Sequence, residues 1–79
     1  MSVLNADKVL DCSGLLCPMP VVRVSKGIKE VSVGQVLKMI STDPGSLSDM
    51  QALAKQTGQQ LLDSHREDTK YIFYIKRVK

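Results

Sequence analysis

The chain predicts an α/β two-layer sandwich in the order β-α-β-α-β-β, a four-stranded mixed sheet with two helices packed on one face. Three observations predict it. Two stretches, 18–31 and 46–57, repeat apolar residues every three or four positions, the period of an amphipathic helix. Runs of strand length lie before, between and after them. The last two runs are parted only by the short polar break 67–69, which suits an antiparallel hairpin, whereas the two helical stretches are long enough for parallel crossovers.

The first strand is read at 8–11, with Val9 and Leu10 as its apolar part, and Ser13 and Gly14 break it. In the first helix, 18–31, Val21, Val24, Ile28 and Val31 line one face, while Arg23, Lys26 and Lys29 fall on another. Gly27 within it costs about 1 kcal/mol relative to Ala, and is either tolerated or lets the helix approach the sheet closely. After a turn at 32–35, the second strand is 36–41, apolar except for Lys38. Thr42, Asp43, Pro44 and Gly45 make the next break. The second helix, 46–57, is expected to open on a capping box of Ser46 and Asp49, to bury Leu47, Met50, Leu53 and Ala54, and to stop at Gly58. A polar third strand is read at 59–66 and an apolar fourth at 70–78.

With 79 residues the chain is expected to form one domain, 1–79. It has no Trp, one Phe and two Tyr, so its core must be built from Val, Leu, Ile and Met. Two cysteines make no disulfide framework and one histidine makes no closed zinc site, so no structural staple of either kind is expected. No run approaches the ~18 apolar residues of a membrane span, and residues 1–8 lack the apolar stretch of a signal peptide. The expected compartment is the reducing cytoplasm. The net charge of +3 is mild. The cluster Lys76, Arg77 and Lys79 reads first as a solvated, frayed tail, and second as a docking face for an acidic partner or RNA.

Cys17 is the candidate for chemistry. Pro18 and Pro20 suit a first helical turn, and a residue before proline is pushed out of helical geometry. Cys17 is thus expected at the lip of the first helix, near the positive end of its dipole, where a thiol pKa falls. The N–H groups of Met19 and Val21 remain to stabilise a sulfur anion, and the two prolines stiffen the turn. A free cysteine is also among the most buried and inert residue types, and the residues alone leave both readings open.

Leu10, Asp11, Gly14, Leu15, Cys17, Pro18 and Pro20 spell L-D-x-x-G-L-x-C-P-x-P. This resembles the signature of the TusA-like, or SirA-like, sulfur carriers. Asp43, Pro44, Ser46 and Asp49 resemble that family's D-P-x-[ST]-x-x-D segment, and length and element order agree. The resemblance implies a sulfurtransferase-type relay protein. Cys17 would take a sulfane sulfur from a cysteine desulfurase or rhodanese-like donor, hold it as a persulfide and pass it to an acceptor protein, for which a DsrE-like partner is one candidate. Such a carrier needs no general base, metal or cofactor. In the tRNA-thiolation branch the motif positions next to the cysteine and between the prolines are typically Arg and Glu, where this chain has Leu16 and Met19. The resemblance therefore points to sulfur relay without tying it to tRNA.

Around Cys17, the residues Pro18, Met19, Pro20 and Gly14 are read as shaping the site, and Leu16, Arg23 and Lys26 as docking positions. Gly14 is expected to supply a positive φ or a close chain approach. Cys12 reads as a small apolar residue ending the first strand, and less readily as a resolving thiol. Asp11 and Asp43 read as turn caps, His65 as a surface residue, and Met39 and Met50 as packing. Two other functions compete: a non-catalytic binding module with Cys17 a structural thiol, its RNA form favoured weakly by the basic tail but not expected to bind nucleic acid directly with so few aromatics, and a redox regulator cycling a Cys12–Cys17 disulfide.

Overall fold

The computed structural model describes residues 6–14 and 19–79. The elements run β1 (Lys8–Cys12), α1 (Met19–Gly27), β2 (Val36–Ser41), α2 (Ser46–Thr57), β3 (Gln60–Glu67) and β4 (Lys70–Lys76). The sheet order is β1-β2-β4-β3. β1 pairs parallel with β2, and β4 lies antiparallel between β2 and β3. This is the mixed four-stranded sheet that the sequence predicts, with both crossovers parallel and the last pair a hairpin.

Alternation decides the two faces of the sheet. Leu37, Met39 and Ser41 of β2 are buried, while Val36, Lys38 and Ile40 are partly exposed. On the covered face, Leu37, Met39, Phe73 and Ile75 join Val24 of α1 and Met50, Leu53 and Ala54 of α2 in one core. Both helices therefore pack on the same side. Gly27 is there for proximity: a Cβ on it would stand 2.6 Å from Leu10 Cδ1.

Helix α1 is shorter than the periodicity suggests. It ends at Gly27, and the chain tightens, with Lys29 and Glu30 donating to the carbonyls of Lys26 and Gly27, three residues back. Ile28 and Val31 stay buried, so the apolar pattern outlasts the helix. Two carbonyls of the segment that follows α1 are met from β4's exit. Arg77 Nη1 donates to the Val31 carbonyl at 2.6 Å and the Lys29 carbonyl at 3.3 Å. Gln59 Oε1 accepts the N–H of Val78 at 2.7 Å and of Lys79 at 3.2 Å. The basic C-terminal cluster is thus not a frayed tail, because Arg77 holds the segment that follows α1. Arg77→Ala is expected to cost about 1.5–3 kcal/mol, the usual worth of hydrogen bonds from a charged donor, as a lower urea midpoint at unchanged slope.

The start of α2 also differs from expectation. Gly45 occupies the cap position in helical geometry, and Ser46 is the first helical residue. A capping box is not formed, because the Ser46 hydroxyl is buried and lies 2.6 Å from Ser41 Oγ. Asp43 replaces it: Oδ1 accepts the Gly45 N–H at 3.0 Å and its carbonyl accepts the Ser46 N–H at 3.0 Å. Gly58 ends the helix as expected, at φ 74°.

The other face of the sheet carries Ile72, which is 4% exposed and stands between Ile40 and His65 in the register. Lys38 Nζ lies 5.7 Å from the centroid of the Tyr74 ring, which accounts for a lysine within an apolar strand. On β3, His65 is bracketed by Asp63 Oδ2 at 2.8 Å from Nδ1 and Glu67 Oε2 at 3.0 Å from Nε2. The hydrogen bonds to Glu67, first, and Asp63 raise its pKa above the ordinary 6.5. A raised folded pKa stabilises below the unfolded value, and the gain disappears as pH rises through the folded value. Wild-type chain should therefore exceed His65→Gln in stability more at pH 5 than at pH 8, by about 0.5 kcal/mol or less because the group is solvent-screened, in paired urea titrations.

Candidate functional site

The carboxyl ends of β1 and β2 lie side by side, with Cys12 opposite Ser41. From there β1 runs into a turn that is fixed by two contacts. Asp11 Oδ1 accepts the Ser13 N–H at 3.0 Å, and Thr42 Oγ1 accepts the Gly14 N–H at 2.9 Å. The Ser13 hydroxyl and N–H hold the Asp11 carboxyl below its ordinary range. Gly14 has φ +82° and open space where a Cβ would be, so of its two expected uses the left-handed backbone applies. Asp11 and Asp43 both cap turns, as the sequence suggests.

Leu16, Cys17 and Pro18 lie outside the described residues. Met19 and Pro20 are the first two residues of α1. The described chain therefore stops at Gly14, tied to the end of β2, and resumes at the start of the helix. Arg23 and Lys26 are both exposed on α1, and with Leu10, Gly27 and Glu30 they line a shallow cleft of about 210 Å³. They present positive charge beside the outer edge of β1, where Lys8 already pairs with Glu30 at 3.0 Å.

Cys12 is a core residue. It is 1% exposed, and burial pushes its thiol pKa up, against a smaller lowering by Arg23. A buried thiol with a raised pKa is a poor nucleophile at neutral pH. Among the described residues no three His, Cys, Asp or Glu side chains come together as a metal site. Thr42 has no counterpart in the sequence reading. Its contact joins residues 28 positions apart, and nothing local in the chain signals it.

Residues 8–77 match the family model described as Sulfurtransferase TusA. The chain is 51% identical over 71 residues to the sulfur carrier protein TusA of Allochromatium vinosum, an alignment covering 90% of this chain and 93% of that one. Its fold is similar to the crystal structure of a SirA-like protein from Desulfitobacterium hafniense, with TM-score 0.79 and 23% identity over 91% of this chain and 99% of that one. At that identity the structural likeness speaks for the fold alone.

Proposed function

The chain belongs to the TusA family of sulfur carriers, and on that premise we propose that Cys17 carries the sulfur as a persulfide. The Cys17 thiolate attacks the outer sulfur of a donor persulfide. A sulfur–sulfur bond forms at Cys17, the donor's sulfur–sulfur bond breaks, and the electron pair leaves with the donor thiolate. The same exchange in reverse hands the sulfur to an acceptor protein, so no external oxidant or reductant enters. Pro18, Met19, Pro20 and Gly14 shape the approach to that sulfur. Leu16 and Met19 leave its activation to the dipole of α1 with no adjacent cation in the motif.

The observation that carries this reading is the match over residues 8–77, which takes in the whole C-P-x-P motif, whose Met19 and Pro20 open α1. Donors of the cysteine desulfurase or rhodanese class and an acceptor, with DsrE-like proteins as candidates, are the partners such a carrier requires. Leu16, Arg23 and Lys26 are their proposed contacts, and the cytoplasm is the proposed compartment. No helix among the described residues is long and apolar enough to cross a membrane. Two observations weigh against the competing functions. Burial of Cys12 disfavours a Cys12–Cys17 disulfide cycle. Phe73 is buried and Tyr71 packs against the core, which leaves no row of aromatics on which RNA bases could stack. Incubation with a cysteine desulfurase and cysteine should add one sulfur atom to the intact mass, and dithiothreitol should remove it. No gain in mass overturns the reading.

A further inference from the structure

The helical pattern of α2 groups Leu47 with Met50, Leu53 and Ala54, yet those three are buried and Leu47 is 41% exposed. Leu47 instead lines a groove of about 140 Å³ with Phe73, Tyr71, Ser64, His65 and Arg66. That volume is close to the ~150 Å³ cavity that takes a benzene ring, so the groove suits one leucine- or phenyl-sized group. Its cationic members are Arg66 and, when protonated, His65, whose two ring nitrogens are already taken by Asp63 and Glu67. The guanidinium lies 5.8 Å from the centroid of the Tyr71 ring, and Nε donates to the Asp68 carbonyl at 2.8 Å. No ion pair engages Arg66 among the described residues. The remaining N–H groups of the fork match a carboxylate.

The groove also lies at the end of the sheet where sulfur exchange is proposed. Arg66 stands opposite Tyr71, Tyr71 opposite Ser41, and Ser41 opposite Cys12, one row across all four strands. Gly14, held by Thr42 just past the end of this row, stands three residues before Cys17 in the sequence.

We propose that this groove docks the protein that delivers sulfur, through a partner segment carrying one apolar side chain next to a carboxylate. The apolar group fills the space beside Leu47, Tyr71 and Phe73, and the carboxylate pairs with Arg66. This rests on the reading of Cys17 as the sulfur site, and the test separates the two. The unmodified chain, Arg66→Glu and Leu47→Glu are loaded either by a cysteine desulfurase with cysteine or by inorganic polysulfide, which gives up one sulfur and leaves one sulfur shorter. Both substituted residues are exposed, and circular dichroism checks that the fold is kept. The expected result is a rise of about tenfold or more in the KM for the carrier in desulfurase loading, with polysulfide loading unchanged. Equal desulfurase KM values for all three chains overturn the groove while leaving Cys17 in place. Slowed onward transfer with unchanged loading assigns the groove to the acceptor and likewise overturns its assignment to the donor. An unmodified chain that loads from neither source overturns the Cys17 reading itself.

Discussion

Phe73→Ala is expected to lower the free energy of unfolding by about 3–5 kcal/mol. Phe73 is the largest fully buried side chain among the described residues, 1% exposed, on the central strand β4 and in the core shared by both helices. A domain of this size has about 4–12 kcal/mol to lose, so the variant should be partly unfolded at 37 °C. Urea unfolding followed by circular dichroism measures it, with Phe73→Leu, expected to cost about 1.5 kcal/mol or less, as the volume-conserving control. A loss below about 1 kcal/mol for the alanine variant would show that the two helices do not share a core through Phe73.

Alkylation of Cys12 in the native chain should run about a hundredfold or more slower than in denaturing urea. Its sulfur is sealed at the end of β1 and burial raises the thiol pKa, so reaction has to wait for β1 to open. β1 is an edge strand, which makes this opening less costly than global unfolding and keeps the protection finite. Peptide mapping after timed exposure to iodoacetamide gives the rate at each cysteine. Native Cys12 reacting as fast as in urea would contradict the burial and revive the Cys12–Cys17 redox cycle.

The element order was legible because runs of strand length and helix-period stretches alternate with clear breaks at Gly14, Gly34, Pro44 and Gly58. What the sequence concealed was set by long-range contacts. The end of α1 cannot be read from its own pattern, because Ile28 and Val31 keep their apolar register while Arg77, almost fifty residues away, holds the Lys29 and Val31 carbonyls beyond the helix. Ser46 has the residue type of a helix cap, but Ser41 claims its hydroxyl across the loop between β2 and α2. Strand β4 is apolar on both sides because Ile72 is buried on the face opposite the helices, so alternation alone could not assign its core side. The bulge between Leu61 and Asp63 shifts the register of β3 and blurs its polar pattern. A hint was present there, since Asp63, His65 and Glu67 alternate along a strand and so must share a face.

At the site, the motif from Leu10 to Pro20 was legible outright, and the structure adds the frame around it. Thr42 holds Gly14, Asp11 caps the turn, and Cys12 is removed into the core. The groove beside Leu47 and Arg66 was not legible, because a leucine at a core position of a helix is read as buried until the sheet beneath it is seen.

The most direct measurement is intact mass after loading by a cysteine desulfurase and cysteine, on Cys17→Ser and Cys12→Ser side by side. With Cys17 as the persulfide site, Cys12→Ser gains one sulfur atom and Cys17→Ser gains none. Sulfur on Cys17→Ser, or its loss from a folded Cys12→Ser, contradicts the assignment.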